Sequence, residues 1–285
     1  MNTKNSEIKT IEYACNGKII TFNEPQVMAI VNITPDSFYD GGKYGALKDI
    51  LYDTEEKINQ GAKIIDLGAA SSRPGATGIE EDEEWQRLKD VLEALRKEFP
   101  SVLISIDTYR AVIAEKSAGL GADIINDISG GMLDDKMFET IARISLPYVL
   151  MHMQGTPQTM QKNPSYADVT GEIYSDFGSR IKELEKLGFN KLIVDPGFGF
   201  GKTVNHNFTL LKELARFEDL GFPILAGVSR KGMISKITGT SAVTALNGTT
   251  VLNTIALLNG ASVLRVHDVT EAMQAIQLVQ FYNNV

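Results

Sequence analysis

Each short apolar, β-rich stretch of this 285-residue chain ends in a polar side chain, and the set of ends reads Asn32, Asp66, Asp107, Asn126, His152, Asp195, Ser229 and Arg265. Carboxylates and amides in that number can hold a small polar ligand through several hydrogen bonds, and an arginine adds a fixed cation. These residues lie more than two hundred positions apart along the chain, so only a fold that gathers strand ends can unite them. A (β/α)8 barrel does so, because the carboxyl ends of its eight parallel strands converge on one mouth.

The elements that would position these groups are legible as an alternation. Residues 27–31, 63–67, 102–106, 123–125, 148–151, 191–194, 224–226 and 262–264 are short β-branched or apolar runs, the signature of buried parallel strands. Between them, residues 80–97, 168–187, 204–216 and 242–258 carry helical periodicity. Eight such repeats close a barrel, and no G-x-G-x-x-G follows the first strand to favour a doubly wound open sheet. The fold class expected is therefore α/β, a TIM (β/α)8 barrel, with residues 1–285 forming one domain. Residues 1–24 are a short N-terminal extension, in which 8–22 read as a hairpin turning at Asn16-Gly17 and covering the barrel bottom. Two strand-to-helix connections, 32–44 and 68–79, are long and rich in Gly, Pro and small polar residues. They carry Asp36 in the first and Ser72 with Arg73 in the second, and are expected to act as lids over the mouth.

Composition narrows the function. A formal charge of -8 argues against nucleic acid, whose phosphates reward a basic face, while leaving room for a local cationic pocket. A single Cys15 excludes an internal disulfide, and the polar start MNTKNSEIKT has no signal-peptide core, so the expectation is a cytoplasmic protein. No apolar run reaches the ~18 residues that a membrane-spanning helix needs. Zinc is excluded by the absence of a Cys/His cluster among Cys15, His152, His206 and His267. His206 reads as a surface residue, and His152 equally as a structural histidine or a ligand contact.

Eight motifs in order, NITPDSFYDGG (32–42), SSRPGA (71–76), SIDT (105–108), INDISGG (125–131), LMHMQG (150–155), DPGFGFGK (195–202), GVSRKG (227–232) and RVHDV (265–269), resemble the dihydropteroate synthase family over residues 27–269. The resemblance implies a folate-pathway transferase that joins 6-hydroxymethyl-7,8-dihydropterin diphosphate to 4-aminobenzoate, giving 7,8-dihydropteroate and diphosphate, with Mg2+ present. It implies no nucleic-acid or membrane partner, a homodimer, and a site open to sulfonamide mimics of the amine.

A reduced pterin presents an amidine-like edge that needs matched acceptors and donors in a dry pocket. By resemblance Asp107, Asn126 and Asp195 bind that edge, and Lys231 donates to the carbonyl and ring-nitrogen side. Helix capping is a live alternative for Asp107, and turn closure for Asn126, where Asp127 could serve as well; Pro196 leaves Asp195 no helix to cap. Arg73, Arg265 and His267 form the diphosphate clamp, with Arg265 also stacking on the pterin ring. Arg265 and His267 alternate along one strand end, so both point to the mouth; a rim salt bridge from Arg265 to Asp268 or Glu271 is the bland reading. Asn32 is the family position for Mg2+, to which it brings one amide oxygen.

The aminobenzoate slot falls to Ser72, Arg73, Pro74, Phe200, Lys231 and the backbone near Gly232. Turnover is expected to depend on Lys231, Asp195, Arg265 and Arg73. Gly201-Lys202-Thr203 imitates the end of a P-loop, but Pro196 stands where its first glycine belongs. The glycines there are instead expected to let backbone pass close to the ligand, with Phe198 in the core. Departures from the commonest family form are Ala69-Ala70 for Gly-Glu, Ser72 for Thr and Gly232 for Ser. Three other readings stand beside the synthase: a methyltetrahydrofolate:corrinoid methyltransferase, a catalytically silent pterin-binding protein and an unrelated phosphate-binding barrel.

Overall fold

The structure is a computed structural model, and it describes residues 10–33, 43–70 and 79–285. The chain opens with an antiparallel hairpin, β1 (Ile11–Cys15) and β2 (Lys18–Phe22), joined at Asn16 and Gly17 with φ of 41° and 75°. Both values are positive, as a type I′ turn requires.

A parallel sheet follows, formed by β3 (Gln26–Asn32), β4 (Ile64–Gly68), β5 (Leu103–Asp107), β6 (Ile124–Asp127), β7 (Tyr148–Met151), β8 (Leu192–Asp195), β9 (Leu225–Ala226) and β10 (Val263–Val266). Its order is β8-β7-β6-β5-β4-β3-β10-β9, and a bridge between Val194 and Ile224 joins the two edges into a ring. The helices are α1 (Lys43–Asn59), α2 (Glu81–Glu98), α3 (Ala111–Gly119), α4 (Met137–Ile144), α5 (Val169–Lys186), α6 (Val204–Lys212), α7 (Gly232–Thr238), α8 (Leu246–Leu258) and α9 (Val269–Asn283). The expected TIM barrel is the observed architecture.

Period-two alternation divides every strand between two cores. Outward residues such as Ala29, Leu67, Ile106, Leu150 and Val194 meet the helices, exemplified by the Leu88, Val91, Leu92 and Leu95 face of α2. Four acidic residues in the first turn of α2 and Arg96 with Lys97 in its last suit the helix dipole. Inward, each strand contributes one apolar residue to the barrel floor: Met28, Ile64, Leu103, Ile124, Val149, Ile193, Leu225 and Val263. Tyr13, Cys15, Ile20 and Phe22 of the hairpin pack against that layer from below. The plug is tied down by the Tyr13 hydroxyl donating to the Leu192 carbonyl (2.7 Å), and by Lys18, which donates to the Val102 carbonyl (3.0 Å) and pairs with Asp123 (3.1 Å).

Two helices differ from expectation. The run 204–216 is helical only to Lys212, then becomes a 3-10 segment at Leu214–Leu220. Its buried Leu214 and Phe217 are three apart, the repeat of a 3-10 turn. The helix expected from 242 starts at Leu246, because Ser241 and Thr244 bond each other's backbone and hydroxyls in a local turn that competes with helix. Among the described residues no helix is long and apolar enough to cross a membrane.

Candidate active site

Two positions above the floor, the inward side chains turn polar. Asp66 on β4, Ser105 on β5, Asn126 on β6, Asp195 on β8 and Arg265 on β10 occupy this level, and register sets Asp66 beside Ser105 and Asp107 beside Asn126. Asp66 is fully buried and is the hub. It accepts from Arg265 Nε at 2.7 Å, Asn126 Nδ2 at 3.1 Å and Ser105 Oγ at 2.6 Å. Arg265 Nη2 also donates to Asp107 Oδ2 at 2.7 Å.

These bonds settle the local alternatives. Asp107 caps no helix, since the N-cap of α3 is Arg110 and the Ala111 N–H donates to Asp134 Oδ2 at 2.8 Å. Asn126 does not close the following turn; Asp127 does, accepting from Ser129 N at 2.7 Å and Gly131 N at 2.8 Å. The rim bridge to Asp268 is made by Arg230 instead, through two bonds of 2.8 and 2.7 Å, while Arg265 points inward.

Burial shapes the electrostatics. Desolvation pushes the Asp107 carboxyl up to about 7 against the pull of Arg265, and raises Asp195 against Lys231. Against its own burial, Arg265 is held charged by Asp66 and Asp107. Burial draws the Lys231 ammonium down to about 8, with Asp195 opposing.

Lys231 stands at the N-terminal end of α7, just ahead of Gly232, and its Nζ donates to the Phe198 carbonyl and lies 4.7 Å from the centre of the Phe200 ring. Phe200 packs on Ile128, Met151, Met153 and Met160, an apolar wall beside the polar level, whereas Phe198 is in the outer core as expected. Asp195 Oδ1 accepts from Gly197 N at 2.8 Å.

The glycines of this turn correct the sequence reading. A Cβ on Gly197 would lie 1.9 Å from the His152 carbonyl, and one on Gly201 2.5 Å from the Gln154 carbonyl. Those two are required by the neighbouring chain rather than by a ligand. Only Gly199 borders the site, where a Cβ would meet Lys231 Cδ at 3.3 Å.

His267 is exposed at the mouth. Its backbone N–H donates to Ser229 Oγ (3.2 Å), and its Nδ1 shares a hydrogen bond with the same hydroxyl (3.0 Å). Asn32 ends β3 with Oδ1 3.6 Å from the position a Gly68 Cβ would take, and Asp107 Oδ2 is 3.7 Å from the same point. Among the described residues no group of three or more His, Cys, Asp or Glu side chains is arranged around a metal. One amide oxygen beside a carboxylate fits a hard ion that arrives with its phosphates, not a resident one.

The structure thus brings Asn32, Asp107, Asn126, Asp195, Phe200, Lys231, Arg265 and His267 to one mouth. Asp36, Ser72, Arg73 and Pro74 lie outside the described residues, as does most of both expected lids. His206 is half-buried and closes a capping box with Thr203 at the start of α6. Sequence reasoning placed Asp66 among the polar strand ends without giving it a specific role, and assigned none to Lys202. Asp66 was visible as a strand end sharing the inward parity of Gly68; Lys202 offered no signal beyond its false P-loop.

A ring of eight parallel strands with acceptors, donors and cations on its inward face at the carboxyl end defines a TIM-barrel enzyme for a small, flat, polar substrate. A family model described as pterin binding enzyme matches residues 28–267. Dihydropteroate synthase of Escherichia coli K12 is 42% identical over 266 residues, which cover 93% of this chain and 94% of that one. Among solved structures, Yersinia pestis dihydropteroate synthase in complex with a sulfonamide drug superposes with a TM-score of 0.90 at 38% identity, covering 96% of this chain and 100% of the other. Xanthomonas albilineans dihydropteroate synthase with 4-aminobenzoic acid gives 0.89 at 35% identity, covering 97% and 99%. The chain belongs to the pterin-binding enzyme family, among its dihydropteroate synthases.

Proposed function

We propose that this protein condenses 6-hydroxymethyl-7,8-dihydropterin diphosphate with 4-aminobenzoate to give 7,8-dihydropteroate and diphosphate. The observation that carries the reading is the interlocked cluster of Asp66, Asp107, Asn126 and Arg265, with Asp195 and Lys231 beside it at the same mouth. Carboxylates and an amide at that level match an amidine-like edge, and in a dry pocket such bonds discriminate strongly. A corrinoid methyltransferase would leave Lys231 and His267 without a use.

In the reaction, the bond between the pterin methylene carbon and the diphosphate oxygen breaks, and the arylamine nitrogen forms a new bond to that carbon and loses a proton. Arg265 and His267 are assigned to the departing diphosphate, and Lys231 steadies the pterin. Asn32 is the described residue that would hold Mg2+, which supplies further neutralisation of phosphate charge. An aromatic amine is nucleophilic while neutral, so no general base is assigned. Phe200 walls the amine's ring, with Ser72, Arg73 and Pro74 assigned to the same slot by resemblance. Water excluded from the mouth cannot intercept the electron-poor methylene.

The test is diphosphate release from purified protein with the dihydropterin diphosphate and Mg2+, with and without 4-aminobenzoate. Amine-dependent release with dihydropteroate formed is expected. Pterin binding without release would identify a silent binder. A homodimer is part of the proposal, supported by Val251 and Leu258 on α8 and by Leu278, Phe281 and Tyr282 on α9, which leave large apolar side chains on the surface of two packed helices.

A further inference from the structure

The turn 196–201 has few side chains of its own to hold it, and four consecutive carbonyls in it each accept from a different side chain. Lys231 Nζ donates to Phe198, Gln161 Nε2 to Gly199 at 2.6 Å, Lys202 Nζ to Phe200 at 2.9 Å and the Tyr166 hydroxyl to Gly201 at 3.0 Å. Of the four donors only Lys202 is buried, at 3% exposure. Burial draws its amine down to about 7, and its Nζ lies within hydrogen-bonding distance of three protein groups: the Phe200 carbonyl, His152 Nδ1 at 3.1 Å and the His152 carbonyl at 3.3 Å. All three partners are protein groups, so Lys202 is engaged with the turn and His152. Burial, with Lys202 beside it, draws the His152 imidazole down to about 2, so the ring is neutral and its Nδ1 can accept.

We propose that Lys202 is a positioning residue for the arylamine half of the reaction, a buried side-chain amine that ties the Phe200 carbonyl to His152 beyond the end of β7 and so fixes the Phe200 ring beside Lys231. The inference rests on the condensation reading above. It weighs on the amine more than on the pterin because Asp66, Asp107, Asn126 and Arg265 hold one another from β4, β5, β6 and β10 without any bond to this turn, whose ties to the pterin side are Lys231 on the Phe198 carbonyl and Asp195 on Gly197 N, neither of which involves Lys202. Loss of Lys202 should therefore loosen the apolar wall and spare the pterin edge.

The experiment compares full-length wild type with Lys202→Met and Lys202→Gln. Steady-state rates give the KM for 4-aminobenzoate, and calorimetry without amine gives the Kd for the dihydropterin diphosphate. Lys202→Met keeps the stem and removes the donors, so the amine KM should rise roughly tenfold while the pterin Kd stays within about threefold. Lys202→Gln, whose amide can again reach the Phe200 carbonyl, should recover part of that loss and remains informative if the methionine variant does not fold. An unchanged amine KM, or equal loss for both substrates, overturns the proposal. Absence of amine-dependent release in the wild type would instead defeat the condensation reading; a crystal structure of the variant then decides, and a Phe200 ring left in place refutes the role of Lys202.

Discussion

Asp66 governs a ligand's surroundings through the residues it holds, fixing one face of Asn126 and the guanidinium plane of Arg265. Asp66→Ala removes one of the two carboxylates on Arg265 and strands Ser105 and Asn126, so it should cost about 3 kcal/mol, read as a lowered urea midpoint, with Asp107 still paired to Arg265. Pterin affinity should fall by at least roughly tenfold in the same variant, because Arg265 and Asn126 lose their common anchor. Two pH effects belong to this scale. Asp107 keeps its proton in the folded state up to about 7, whereas an unfolded aspartate releases it near 4. Between those values the folded protein binds more protons, so stability should decline as pH rises from about 4 to 7, and Asp107→Asn should flatten that slope in denaturant melts. Lys231, drawn down to about 8, carries its charge in the free protein only below that value. The kcat/KM profile should therefore fall as pH climbs through about 8, and Lys231→Met should lack that limb as well as most of the activity. Family motifs made Asp107, Asn126, Asp195, Lys231 and Arg265 legible in the sequence. The bonds of Asp66 were not, since its partners stand 39, 60 and 199 positions away and only the closed barrel brings them near.

Among the elements, the strands were the most legible because burial on both faces leaves continuous apolar runs, and each observed strand lies within a residue or two of its expected bounds. The helix ends at Lys212 and Leu246 were less so, since spacing of three and a hydroxyl-bonded turn decided them rather than hydrophobicity. The hairpin was readable from Asn16-Gly17, and its packing says what it does. Ile20 is 1% exposed against the floor while its neighbour Ile19 is 66% exposed. Ile20→Ala should destabilise by about 2–5 kcal/mol, and Ile19→Ala by less than about 0.5 kcal/mol. Equal effects in urea denaturation would mean that the hairpin does not seal the barrel.

For the molecule as a whole, a net charge of -8 coexists with a mouth that gathers Lys231 and Arg265. Those cations are local, which is what selective capture of a small anion by an acidic protein requires. The exposed apolar side chains of α8 and α9 carry the dimer expectation: sedimentation equilibrium should give twice the 31.2 kDa chain mass, and Phe281→Glu should shift it toward the monomer. Each barrel strand, finally, interleaves two vocabularies, outward residues that speak only to helices and inward ones that speak to floor and ligand. Directed evolution can exploit that grammar. Libraries confined to outward positions such as Ala29, Ile106 and Val194 would explore thermal tolerance with the chemistry untouched, whereas a one-residue deletion within a strand would exchange the two alphabets and erase both at once.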